Sequence, residues 1–369
     1  MPPKIKILQI IPNLKRGGAE KVCLQISSGL NKEAYDSAIL LFKDDEQETS
    51  WREEYQASGG QVFILKKNEL FDWHNLYQIY KTIKGWQPDI VHTHLGGDIY
   101  GIIAAKLAGV KKIITTEHNL NVSEKKTTRI IKKICLKLAD KVVAVSEAVR
   151  SDATERYHLN QNKISVIYNG LPFQDFKDQT DPVNNPVTIG SLGRLMPQKG
   201  FEILIKAVSL TKNQNYQLII GGEGELQNAL EEQIKTAGLE KMVKLLGRVD
   251  GSEFWPKIDI FILSSLWEGL GLVVLEAGAR RKPVIVSKLD GLKEIISPEN
   301  GYLFEPGDAQ DLADKIDYLL ENLNSPEVAS KINNNYQNIL EKFSAKKMIS
   351  AYEEVYKNLV SKYENTTGK

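Results

Sequence analysis

Cysteine is almost missing from this chain. Cys23 and Cys135 are its only two, both inside apolar helical patterns and without metal-ligand spacing. That excludes a disulfide framework or a zinc ribbon and predicts buried free thiols in a reducing compartment. Long apolar runs are also missing: none approaches the ~18 residues of a membrane-spanning helix. Met1-Pro2-Pro3-Lys4 leads straight into a strand pattern with no apolar signal region. The expectation is a cytoplasmic protein whose membrane contact, if it has any, is peripheral, on the inner face. Net charge is small as well, 48 Lys+Arg against 47 Asp+Glu giving +1, so bulk electrostatics gives no case for nucleic acid as a partner. What is present is ordinary for a globular protein, 42% hydrophobic and 26% charged. A length of 369 residues predicts two domains.

Ile5 to Ile11, apolar except for Lys6 and Gln9, reads as a buried parallel strand. It enters Pro12-Asn13-Leu14-Lys15-Arg16-Gly17-Gly18-Ala19-Glu20 and then a helical pattern from Val22 to Leu30. A Gly-Gly turn between strand and helix is either a bare tight turn or a place where free amides and the helix dipole face an anion. Strand and helix patterns then alternate to residue 145, which predicts a parallel sheet with right-handed crossovers. The strand ends carry polar residues: His92 and His94, then Glu117-His118-Asn119, then Ser146-Glu147. His92-Thr93-His94 places two histidines on one strand face, yet no carboxylate or cysteine pattern accompanies them, so no metal is expected. Between these strands, residues 125–138 repeat apolar positions 130, 131, 134, 135 and 138 at helical spacing, with cations on the other face. The cationic face is either simply solvated or meets anionic lipid headgroups.

Asn169-Gly170 marks a turn, and residues 175–186, dense in Asp, Gln, Asn and Pro, mark a linker with a boundary near 183. The second half restarts with a strand, Val187 to Leu192, followed by Gly193-Arg194-Leu195-Met196-Pro197-Gln198-Lys199-Gly200 and a helix from Phe201. Arg194 and Lys199 are either solvated or a clamp for a diphosphate, a planar fork plus a point charge. The spacing of a P-loop is missing. Gly221-Gly222-Glu223-Gly224 follows the next strand without a full dinucleotide fingerprint, and Gly247-Arg248-Val249 follows the one after. The apolar strand Ile258 to Leu263 then delivers Ser264-Ser265-Leu266-Trp267-Glu268-Gly269-Leu270-Gly271-Leu272-Val273-Val274-Leu275-Glu276-Ala277-Gly278. This sets two carboxylates around a glycine-bracketed turn outside a strand end. They are either solvated or placed to accept the hydroxyls of a sugar or ribose.

The string Glu268-Gly269-Leu270-Gly271…Glu276-Ala277, with Gly17-Gly18, Asn169-Gly170 and Gly193…Lys199-Gly200, resembles the retaining nucleotide-sugar glycosyltransferases of family 4. The resemblance implies the GT-B fold, α/β with two Rossmann-like domains facing a cleft: residues 1–182 for the acceptor, 183–345 for the donor, and 346–369 crossing back to the first. It implies a nucleoside-diphosphate sugar donor and a carbohydrate or lipid-linked acceptor, with no cofactor. Arg194 and Lys199 take the diphosphate, helped by Gly17, Gly18 and Gly193. Gly222 and Glu223 lie over the nucleotide, and Arg248 and Val249 offer backbone contacts to the base. Glu276 accepts the ribose hydroxyls, Glu268 holds the sugar with amides from Gly269, Leu270, Gly271 and Leu272, and His118 orients it. Asn13, Arg16, His94 and Asn119 border the acceptor. Arg280-Arg281-Lys282 and Lys288-Leu289-Asp290-Gly291 depart from the family pattern, while Glu294 matches it. A sugar-nucleotide epimerase or a phosphorylase with pyridoxal on a lysine would share the fold. A nicotinamide-dependent oxidoreductase or a silent nucleotide-sugar-binding module belongs to other classes.

Overall fold

The computed structural model describes residues 3–15, 17–44, 51–66, 73–122, 124–173 and 184–367. The chain folds as two compact units, Met1–Gly170 with Ala345–Lys369, and Leu171–Ser344. In chain order the first carries β1 (Ile5–Ile11), α1 (Gly18–Gly29), β2 (Tyr35–Asp44), α2 (Arg52–Ala57), β3 (Gln61–Lys66), α3 (Trp73–Trp86), β4 (Ile90–His94), α4 (Gly97–Leu107), β5 (Lys112–Glu117), α5 (Lys126–Leu138), β6 (Lys141–Ala144), α6 (Glu147–Tyr157) and β7 (Ile164–Val166). The second carries β8 (Val187–Leu192), α7 (Phe201–Leu210), β9 (Tyr216–Gly221), α8 (Gln227–Thr236), β10 (Val243–Leu245), α9 (Gly251–Phe254), β11 (Ile260–Leu263), α10 (Leu272–Ala279), β12 (Val284–Ser287), α11 (Asp290–Lys293), β13 (Tyr302–Phe304), α12 (Ala309–Asn322) and α13 (Pro326–Lys342). The last helix, α14 (Ala345–Thr367), belongs to the first unit again.

The first sheet runs β3-β2-β1-β4-β5-β6-β7 and the second β10-β9-β8-β11-β12-β13. Every described pairing is parallel. Helices cover both faces of such sheets, so the central strands are apolar on both sides: Ile7, Leu8, Ile10 and Ile11 of β1, and Ile260 to Leu263 of β11, have no accessible surface. In each sheet the strand order reverses at the middle, between β1 and β4 and between β8 and β11. In open α/β sheets ligands bind outside the carboxyl ends of the strands at such a reversal.

Two expectations need correction. The units change at Gly170 and Leu171, not near 183, because the Leu171 amide donates to the Phe343 carbonyl at 2.8 Å and Leu171 pairs with Ser344; the composition of the linker shifts later than the fold does. In α5 the faces divide differently from the pattern of its apolar residues. Cys135 and Leu136 are buried, but Ile130, Ile134 and Leu138 are 61%, 56% and 44% exposed. Lys132 is buried, since its ammonium lies 2.9 Å from Asp98 Oδ2 and 2.7 Å from Glu117 Oε2. Burial alone would pull that ammonium's pKa down; Asp98 and Glu117 carry it well above the ordinary lysine range.

Candidate active site

In the second unit, glycines let the loops leaving the strand ends close on one another. Gly222 has φ +138, and a Cβ there would lie 1.8 Å from the Gly193 carbonyl oxygen. Gly200, at φ +60, passes so close to Ser264 that its Cβ would stand 2.2 Å from that carbonyl oxygen. The loops after β8 and β11 are then zipped together. Leu266 N–H donates to the Gln198 carbonyl at 2.7 Å, Gln198 Nε2 to the Trp267 carbonyl at 3.0 Å, and Ser264 Oγ to the Lys199 carbonyl at 3.0 Å.

This zipper puts Lys199 Nζ 2.7 Å from Glu268 Oε2, which also accepts from Ser265 Oγ at 3.2 Å. Glu268 is buried, and the lysine stem runs along Gly193. Arg194, on the same loop, is exposed, and its guanidinium has no partner among the described residues. Gly271 opens α10 at φ +83, Leu270 is buried beneath it, and Leu272 begins the helix. Glu276 is half-buried further along α10. Glu223 and Arg248 are exposed on neighbouring loops, whereas Val249 turns inward against Gly221. The departure at Leu289-Asp290-Gly291 is more than a surface matter. A Cβ on Gly291 would lie 2.3 Å from the Gly269 carbonyl oxygen, so this glycine underlies the Glu268 turn.

In the first unit, the loop after β1 holds Asn13, whose side chain accepts from the Lys15 amide at 3.1 Å. Arg16 lies outside the described residues. Gly17 and Gly18 open α1, and the buried Glu20 carboxylate folds back over Gly17, 2.4 Å from where a Cβ would stand. Asn119 is exposed at the end of β5. His118 is 8% exposed, and its Nδ1 has no partner among the described residues. Its Nε2 lies 2.9 Å from His94 Nδ1, and His94 Nε2 lies 2.7 Å from Gln9 Oε1. His94 is therefore corrected from an acceptor neighbour to a buried support: it has no accessible surface and both its ring nitrogens are bonded.

The row continues inward. Gln9 Nε2 donates to Tyr356 Oη at 3.5 Å, Tyr356 Oη meets His92 Nδ1 at 2.7 Å, His92 Nε2 meets Thr116 Oγ1 at 2.8 Å, and Thr116 Oγ1 meets Tyr352 Oη at 3.0 Å. Burial lowers the pKa of all three histidines, His118 to about 3 with the Lys132 charge as a second cause. They are neutral at physiological pH. Sequence reasoning passed over Gln9, Lys132, Tyr352 and Tyr356. The available signals were an amide inside an apolar strand and a lysine in the same helical register as Cys135.

Two parallel doubly wound sheets, each with polar and glycine-rich loops at its central reversal, define the GT-B fold. The model for "Glycosyltransferase Family 4" matches residues 16–174, and that for "Glycosyl transferases group 1" matches residues 172–338. The chain is 30% identical over 341 residues to an Escherichia coli UDP-Gal:alpha-D-GlcNAc-diphosphoundecaprenol alpha-1,3-galactosyltransferase, covering 83% of this chain and 85% of that relative. It superposes on a glycosyltransferase from Rickettsia africae with TM-score 0.82 at 24% identity, over 97% of this chain and 99% of that one. It also superposes on Anabaena HepE in complex with UDP and glucose, with TM-score 0.84 at 23% identity, over 96% and 100%. The chain belongs to the family 4, group 1 glycosyltransferases and is a sugar-transferring enzyme.

Proposed function

We propose that the protein moves a hexose from a uridine diphosphate sugar to a hydroxyl of a lipid-linked saccharide, with retention at the anomeric carbon and without a metal. The observation that carries this reading is the 2.7 Å contact of Lys199 with Glu268 at the central reversal of the second sheet. In a nucleotide sugar the diphosphate and the hexose are joined through the bond to be broken. A cation suited to one and a carboxylate suited to the other, already touching, fit the two sides of that bond.

Arg194 and Lys199 neutralise the leaving diphosphate as charge builds on it. Glu268 and the amides at the start of α10 hold the hexose, and Glu276 takes the ribose hydroxyls. On the first unit, His118 meets a substrate hydroxyl, and Asn13 and Asn119 border the acceptor. The Glu268 carboxylate is already engaged by Lys199 and Ser265, so the reading gives it no covalent role and has the acceptor attack on the face the diphosphate leaves. Uridine and the lipid-linked acceptor are supported by the names of the Escherichia coli and Anabaena proteins. Contact with a membrane is supported by the exposed Ile130, Ile134 and Leu138 among Lys126, Lys133 and Lys137 on α5.

The test supplies a panel of uridine diphosphate hexoses with a polyprenyl-diphosphate-linked saccharide and reads the anomeric configuration of the product by NMR. The donor's configuration in the product is expected. An inverted product, or an epimerised donor without transfer, overturns the reading.

A further inference from the structure

A buried row of side chains ends at the one ring nitrogen of His118 that has no partner among the described residues. Gln9 of β1, His92 and His94 of β4 and Thr116 of β5 lie on neighbouring strands, and Tyr352 and Tyr356 of α14 complete the row. All six have 1% exposure or less. Polar groups buried this deeply are costly unless bonded, and here each bond fixes the next.

A neutral imidazole has one donor and one acceptor. The Gln9 carbonyl oxygen only accepts, so the His94 nitrogen 2.7 Å away, Nε2, carries the hydrogen. His94 Nδ1 is then bare, and His118 Nε2, 2.9 Å from it, must be the donor. His118 Nδ1 is left as a lone pair. On the other side of Gln9 its NH2 donates to Tyr356 Oη at 3.5 Å, and that hydroxyl lies 2.7 Å from His92 Nδ1. If the amide were turned over, the donors at His94 and His118 would reverse and His118 would present an N–H instead.

We infer that Gln9 and Tyr356 are positioning residues that hold His118 as the Nε2–H tautomer, so that its Nδ1 accepts a hydrogen bond from a substrate hydroxyl. Neither touches substrate; each acts through His94. The inference rests on the transferase reading for the identity of the hydroxyl, but the tautomer stands apart from it.

The test is 15N NMR of the full-length protein labelled at histidine, with His118 assigned from the resonances lost in His118→Asn. Proton attachment at Nε2 of His118 is expected in the substrate-free wild type, and attachment at Nδ1 overturns the inference. Gln9→Met, which keeps side-chain length in an apolar setting, is expected to let the Nδ1–H form appear; an unchanged tautomer also overturns it. Tyr356→Phe keeps the ring and is expected to lower kcat about tenfold with little change in donor KM; unchanged kcat counts against the inference. Because the tautomer is read without substrate, a wrong assignment of the reaction would leave that result intact.

Discussion

At the scale of single residues, the Lys199 and Glu268 contact concentrates what the second unit offers. Lys199→Ala is expected to lower kcat/KM for the donor by about 10²–10³-fold, the usual cost of removing one charge-stabilising group, in initial-rate assays on protein whose circular dichroism is unchanged. Activity within a few-fold of wild type would remove Lys199 from the diphosphate. The parts of this pair were legible in the sequence, because each lies in a glycine-rich loop that follows a strand. Their meeting was not, since they are 69 positions apart and no local spacing encodes the Gly200 and Ser264 approach that joins their loops. His94 shows the opposite limit. Its place at a strand end marked it as a ligand residue, but alternation of side chains along β4 sets it on the face covered by α14. A single sequence does not say which face a distant helix will cover.

At the scale of elements, α5 carries two apolar stripes, and periodicity alone did not rank them. The stripe through Cys135 packs inward because Lys132, beside it, has two buried carboxylates to meet. That leaves Ile130, Ile134 and Leu138 to water. Full burial of a large apolar side chain is worth about 1.5–3 kcal/mol, and each lysine near an anionic surface adds about 1 kcal/mol. The double substitution Ile130→Asp with Ile134→Asp is therefore expected to reduce partitioning onto phosphatidylglycerol vesicles at least tenfold. The melting temperature should stay within a few degrees, because both side chains are exposed in the fold. Equal sedimentation of wild type and variant with such vesicles would remove membrane contact from the reading. Among the described residues no helix is long and apolar enough to cross a membrane.

At the scale of the whole molecule, alternating strands and helices and parallel sheets were legible, because the apolar strands of β1, β4, β8 and β11 are bounded by glycine and polar loops, whereas the boundary read near 183 falls later than the change of units at Gly170 and Leu171. The buried polar row was not legible, since it joins residues from β1, β4, β5 and α14. That row makes stability depend on pH. Unfolded histidines take up protons near the ordinary value of 6.5, while His92, His94 and His118 stay neutral when folded, His118 down to about 3. Below pH 6.5 the unfolded chain binds more protons, so their contribution is present above 6.5 and is lost as the pH falls toward 3. Asp98, raised to about 6 mainly by burial, works the other way, one group against three. Urea denaturation at pH 7.5 and at pH 5 is expected to show a lower midpoint in acid, and His92→Gln should flatten the difference. Equal midpoints in the wild type would contradict buried neutral imidazoles.

The place of α14 in the first unit also has a consequence for synthesis. A ribosome releases residues 171–344, a contiguous segment with its own sheet, before it reaches Tyr352 and Tyr356. The nascent amino-terminal sheet therefore waits, with Gln9 and His92 uncovered, until the later unit has been made. The half that begins the polypeptide is the last to be finished.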